Sequence, residues 1–281
     1  MTDKRLTEQN LGAFSRYLQQ EERSRGTIGK YMHDIYEFAC WAGHRQVTKE
    51  LVTQWKTELC NKGYAASSIN SMLAALHCFF RFTGWEELRV KYLIVQRRIF
   101  CDASRELTRE EYERLLTTAY TRGQERLALL METICSTGIR VSELRYITVE
   151  TARAGRAEIS LKGKRRTILL PGKLCRRLLR YAKKQKTVSG EIFLTRNGTG
   201  LSRKQIWAEM KAICSLAGIA PSKVFPHNLR HLFARTFYRV TRDIAKLADL
   251  LGHSSIETTR IYLVSAGKEH AKLLERLHLI I

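Results

Sequence analysis

The sequence predicts a mainly α protein with a small β component, divided into two domains at residues 1–98 and 99–281. Three observations carry this. Apolar residues recur at helical spacing through nearly all of the first segment, while strand-like alternation is confined to short stretches near residues 157–170 and 191–195. A length of 281 residues is also more than one small core usually organises.

In the first domain, four apolar sets each follow the i, i+3, i+4, i+7 rule for one buried stripe. They are Leu11, Phe14 and Leu18; Ile28, Tyr31, Met32, Ile35 and Phe38; Leu51, Val52, Trp55 and Leu59; and Ile69, Met72, Leu73, Leu76, Phe79 and Phe80. Breaks are expected at Arg25–Gly26, Gly43–His44, Lys62–Gly63 and Thr83–Gly84. The result is a four-helix bundle whose aromatics are mostly core. Arg23, Arg25, Lys30 and Lys62 are exposed cations that could meet phosphate, although any one of them is more often just solvated. Residues 88–106 lose periodicity, carry Lys91, Arg97 and Arg98, and read as a basic connector.

The second domain opens with a capping box, Thr108 and Glu111. Leu127, Leu130, Met131 and Ile134 mark the next helix, which Gly138 ends. Ala157, Ile159 and Leu161, then Ile168 and Leu170, alternate as a hairpin with KGKR at its tip. EIFLT at 191–195 reads as a further strand, and Ser202 caps a helix that turns Ile206, Met210, Ile213 and Cys214 inward. Pro226 opens another helix. In LLGHSSIETTRIY, Gly252 closes one helix, Ser254 or Ser255 caps a short new one, and Tyr262 falls about two turns along it.

Composition narrows the function. There are 49 basic against 27 acidic residues, a net +22, which points to a polyanionic partner and most directly to nucleic acid. Seven scattered cysteines, odd in number and without a CxxC pair, argue against a disulfide framework or zinc site and fit a reducing compartment. No apolar run reaches the roughly 18–20 residues that a membrane helix needs. The opening MTDKRLTEQN has no apolar leader. A cytoplasmic protein that contacts no membrane is expected. No Gly-rich phosphate loop or paired-carboxylate motif is present, so no nucleotide or metal cofactor is expected.

Several residues have the chemistry for a phosphodiester. Arg140 sits among Ile139, Val141 and Leu144, where a charge must be paired or functional. His227, Arg230 and His231 share one face at a helix start, where free N–H groups already favour an anion. Lys162 enters the hairpin turn, with Lys164, Arg165 and Arg166 just past it; Arg203 and Lys204 stand in a first helical turn that disfavours cations. These last five, with His231, are candidate DNA contacts. Two guanidinium groups match the non-bridging oxygens of one phosphate. A positioned Tyr262 can attack phosphorus, a Lys can protonate the departing sugar oxygen, and His227 or His253 can assist. Taken singly, the tyrosine would read as a buried aromatic anchor and the hairpin tip as a solvated turn.

The spelling and order of these stretches resemble the tyrosine recombinase family, which includes the phage integrases and Xer-like proteins. The matching stretches are STGIRVSEL around Arg140, KGKRR after a strand, HNLRH at 227–231 and LGHSSIETTRIY ending at Tyr262. TIGKYMHDIYEFACW and SSINSMLAALHCFFRF are similar to that family's helical core-binding domain, so the likeness spans nearly the whole chain. It implies a SAM-like N-terminal domain and an α+β catalytic domain closing as a C-shaped clamp on double-stranded DNA at specific recombination sites. It implies a minimal, Xer-like or simple transposon or invertase type, serving a mobile element, inversion or dimer resolution. Strand exchange would be metal-independent, through a 3′-phosphotyrosine and a Holliday junction. A homo-tetramer is implied, its C-terminal helix (Leu273, Leu274, Leu277) docked on a neighbour. By position, Arg140 and Arg230 would clamp the phosphate and Lys162 would be the general acid. The family often has a Gly before this Lys where the hairpin here reads LKGKRR, which keeps Lys164 as the alternative. His227 would move a proton, His253 would complete the pocket and Tyr262 would be the nucleophile. Two rival readings are a type IB topoisomerase-like relaxing enzyme and a DNA-binding protein without catalysis.

Overall fold

The structure, a computed structural model, describes residues 4–95, 103–161 and 164–263. Lys162, Arg97, Arg98 and the tail with Leu273, Leu274 and Leu277 lie outside the described residues. The chain divides into two compact units, Met1–Arg97 and Arg98–Ile281.

The first unit is four helices: α1 (Glu8–Gln20), α2 (Arg25–Ala42), α3 (Lys49–Asn61) and α4 (Ala66–Thr83). Thr7, Ser24 and Thr48 cap the first three by accepting a backbone N–H three residues on. The expected break at Arg25–Gly26 is instead the first turn of α2, because Ser24 starts the helix before the glycine can interrupt it. The stripes meet in one core, with Phe14, Phe38, Phe79, Phe80, Leu73 and Leu76 fully buried. Phe14 and Phe79 meet edge-to-face at 5.2 Å. Burying each ring stabilises by roughly 1.5–3 kcal/mol. Two of the four exposed cations named as candidates for phosphate contact are paired: Lys30 with buried Asp34 and Lys62 with Glu58.

The second unit contains α5 (Arg109–Thr121), α6 (Glu125–Thr137), a 3₁₀ segment (Val141–Tyr146) and α7 (Val149–Ala154). The hairpin β1 (Arg156–Leu161) and β2 (Lys164–Leu169) follows, then α8 (Gly172–Lys184) and α9 (Arg203–Ala212). Last come α10 (Pro226–Thr241), α11 (Ile244–Leu251), α12 (Ile256–Arg260) and a 3₁₀ turn (Ile261–Leu263). The hairpin is antiparallel with Ile159 opposite Arg166 and Leu161 opposite Lys164. The strand expected at 191–195 is absent. Only single bridges form there, Thr148 with Glu191 and Leu194 with Gly200, since neither neighbour runs extended long enough to build a ladder. Helix α6 is the centre of this unit: Leu127, Ala128, Leu129, Leu130, Met131 and Ile134 are all buried. A separate small cluster joins Ala234 of α10, Leu247 and Leu251 of α11, and Tyr262.

Candidate active site

Three chain reversals deliver the site. Gly138 ends α6 in the left-handed conformation (φ 66°), and a Cβ there would stand 2.6 Å from Cε1 of Phe233 on α10. Only a glycine lets α6 and α10 come this close. The chain then enters the 3₁₀ segment with Arg140 at its start. The carboxylate of Glu143 accepts the Arg140 backbone N–H at 2.8 Å and its Nη1–H at 3.0 Å. Pro226 opens α10, and Asn228 Nδ2 fixes that end by donating to Arg105 O and Lys223 O, both at 2.7 Å. Gly252, also left-handed (φ 63°), ends α11 just before His253.

Arg230 lies at the bottom of the site, 2% exposed. Its Nη1 donates to Gly138 O at 2.5 Å, its Nη2 to Leu251 O at 2.9 Å, and its Nε to the phenol oxygen of Tyr262 at 3.3 Å. Nη2 also lies 2.9 Å from His253 Nε2. A guanidinium can only donate, so that ring nitrogen accepts. The proton is therefore on Nδ1, which donates to Thr259 Oγ1 at 2.9 Å. Burial first, then the cations Arg230, Arg140 and Arg166, push His253 down to about 4, so it is neutral at pH 7. Tyr262 is 6% exposed and sits in the 3₁₀ turn after α12, not within that helix; Ser255 caps α12. Rings of three histidines surround it, His231 at 4.3 Å, His253 at 5.5 Å and His227 at 5.6 Å between centroids. His231 is pushed down to about 4 by burial and then by His227 and Arg230. His227 has an edge open to solvent, yet partial desolvation, then Arg230 and Arg140, lower it as well.

Arg140, Arg230, His227, His253 and Tyr262 thus fall into one connected set, with Arg140 at the open rim (43% side-chain exposure) and Arg230 beneath. Lys162 lies outside the described residues. Arg203 and Lys204 are exposed on the first turn of α9. Two expected DNA contacts point elsewhere. Arg166 is not a surface cation: its Nη2 donates to Glu143 at 2.8 Å and its Nη1 to Leu251 O, and its side chain is 11% exposed. His231 packs on the Tyr262 ring instead of facing outward. Sequence reasoning missed Glu143, 1% exposed between Arg140 and Arg166, and Thr259, 0% exposed behind His253. An acid three residues after an arginine in apolar surroundings was the available signal for the first.

Known proteins match this chain along its length. The phage integrase family model matches residues 105–269, and a model for the phage integrase N-terminal SAM-like domain matches residues 11–87. The chain is 30% identical to tyrosine recombinase XerA of Pyrococcus furiosus, over all of this chain and 98% of the relative. Its fold is similar to XerH site-specific recombinase bound to a difH substrate (TM-score 0.69, 19% identity, 93% of this chain and 86% of that one). It is also similar to a lambda integrase tetramer bound to a Holliday junction (TM-score 0.69, 19% identity, 90% and 76%). The SAM-like model falls on the four-helix unit, and the integrase model on the unit that holds Arg230 and Tyr262. The chain belongs to the phage integrase family and is a tyrosine recombinase, an enzyme of site-specific recombination that cleaves and rejoins DNA.

Proposed function

We propose that Tyr262 is the nucleophile of this recombinase and that Arg140 and Arg230 hold the non-bridging oxygens of the scissile phosphate. One observation carries the reading: the phenol oxygen lies 3.3 Å from Nε of a buried guanidinium. A phosphate seated against Arg230 would have that oxygen beside it. The P–O bond to Tyr262 forms and the P–O5′ bond breaks, leaving a 3′-phosphotyrosine. The tyrosine proton passes to a neutral histidine, for which His227 is the assignment, and the departing O5′ takes a proton from Lys162, with Lys164 as the alternative. Both guanidinium groups stabilise the charge of the five-coordinate transition state, and His253 completes the pocket. Attack by another strand's 5′-hydroxyl reverses these steps, so the bond energy is kept for rejoining. Four copies would act together through a Holliday junction, with the apolar tail around Leu273, Leu274 and Leu277 docking on a neighbour. Cytoplasmic action on duplex DNA agrees with the scattered cysteines.

The test starts from nicked duplexes of randomised sequence, from which protein-linked DNA is recovered after denaturation. Wild type should give an adduct. Tyr262→Phe should give none while still binding the recovered duplex, and an adduct in that variant would remove the nucleophile assignment. Two copies of the recovered site should yield four-way junctions; relaxation of any plasmid irrespective of site would favour a topoisomerase-like activity. Replacing the bridging O5′ by sulfur supplies a leaving group that needs no proton. Lys162→Ala should then be slow on the oxygen substrate and near wild type on the sulfur one. Equal slowing on both would take the acid role from Lys162 and make Lys164 the next residue to replace.

A further inference from the structure

We infer that Arg166 is a positioning residue that ties the β1–β2 hairpin to both phosphate-binding arginines at once, holding Glu143 with one arm and the Leu251 carbonyl with the other. This rests on the reading of Arg140 and Arg230 as the phosphate clamp.

Each link is a contact. Nη2 of Arg166 meets Oε2 of Glu143 at 2.8 Å, and the other oxygen of that carboxylate takes Nη1 of Arg140 at 3.0 Å. Nη1 of Arg166 donates to Leu251 O, the same carbonyl that accepts Nη2 of Arg230 at 2.9 Å. Arg140 and Arg230 come from separate elements, and among the described residues Arg166 is the side chain that reaches the supports of both. Its strand partner is Ile159, and Leu161 and Lys164 close the ladder on either side of residues 162–163. The hairpin that carries the candidate acid is thereby fixed to the arginines by one rigid group.

Placing this residue there is costly. Burial lowers Arg166 to about 10, with Glu143 opposing the shift and Arg230 and Arg140 adding to it. Its Nε is buried with no hydrogen-bond partner. A buried cation next to two others and short of one bond is a poor choice for stability alone, since an apolar side chain of similar volume is often neutral or better. What an apolar side chain cannot do is orient a carboxylate and a carbonyl together. Lysine cannot do it either, because an ammonium has no planar fork. Gly252 makes room for it: a Cβ there would stand 2.5 Å from Cδ and 2.7 Å from Nη1 of Arg166.

The test compares adduct formation on two versions of the duplex that wild type cleaves. One has an ordinary phosphate at the scissile position, and the other a methylphosphonate, in which a methyl group replaces one charged oxygen and the clamp has less charge to bind. Arg166→Met keeps the stem and loses both arms; Arg166→Lys keeps stem and charge but can serve one partner only. On phosphate, Arg166→Met should be slowed roughly 100-fold, the scale of a misplaced reacting group, and Arg166→Lys should be slowed by a smaller factor. On methylphosphonate both deficits should shrink at least tenfold relative to wild type. A deficit unchanged between the two substrates, in variants that bind the duplex and unfold as cooperatively as wild type, overturns the proposal, and so does full activity of Arg166→Lys. If Arg166→Met does not fold, Arg166→Lys decides alone. Arg140→Ala, run beside them, checks the underlying reading. If its deficit also fails to shrink, the clamp assignment is at fault; if it shrinks while that of Arg166→Lys does not, the positioning role is.

Discussion

At the scale of single residues, the site is a set of neutral histidines held against permanent cations. His231 and His253 are both pushed down to about 4 by burial and neighbouring positive charge, against an ordinary 6.5. Between those values an unfolded chain binds protons that the folded one refuses, so stability is full above about pH 6.5 and falls as pH drops toward 4. Carboxylates with lowered values, such as Glu111, start from 4.5 and so overlap only the acid end of that window. The melting temperature should therefore decline between pH 7 and pH 5, and by less in a His231→Phe variant. A flat profile over that range would contradict the neutral ring packed on Tyr262. The placing of Arg140, His227 and His253 was legible beforehand, because each stands within two residues of a glycine or a helix start. Arg166 was misread although strand parity marked it. It shares a face with Ile168, which is 3% exposed, and charge was allowed to outweigh alternation. Glu143 was missed because an acid is not expected in a cationic site until two arginines are seen to need one.

At the scale of elements, helix ends do the aiming. Arg140 follows the left-handed end of α6, His253 the left-handed end of α11, and His227 and Arg230 open α10 at Pro226. Gly138 is the most demanding of these, since it has positive φ, no space for a Cβ and a carbonyl bound to Arg230. Gly138→Ala should cost about 1–2 kcal/mol for the left-handed residue alone, and more for moving Phe233. Denaturant unfolding should show that loss, and adduct formation should fall by more than the folded fraction does. Loss of stability with an unchanged rate per folded molecule would mean that the close approach of α6 and α10 is architectural only. Helices in this chain announced themselves through periodicity and caps, as at Thr108 and Ser202. The stretch at 191–195 did not, because a short apolar run bounded by turn residues looks the same whether or not a partner strand lies beside it. The place of Tyr262 in a 3₁₀ turn was equally hidden: it depends on α12 stopping after five residues, and periodicity has no power over so short a span.

At the scale of the molecule, the excess charge is the property that no single contact explains. A net +22 exceeds what the site itself uses, and 49 cations face only 27 acidic residues. Many of the described cations are nonetheless paired, among them Lys30, Lys62, Arg126 and Arg177. A surface that merely kept the chain soluble would respond weakly to salt when DNA is added. A surface that neutralises phosphates releases counterions, and log affinity falls with log salt at a slope of about −0.9 for each phosphate contacted. With 6–10 such contacts, affinity for a duplex should fall roughly 10³–10⁵-fold between about 50 and 200 mM salt. Tyr262→Phe is the protein to use, so that covalent trapping does not distort the titration. Arg140→Ala should lower the slope by about one contact, because its side chain stands at the open rim of the site. A tenfold fall or less over that range would mean that the charge is spent on internal pairs, and that binding depends on the site and on base contacts.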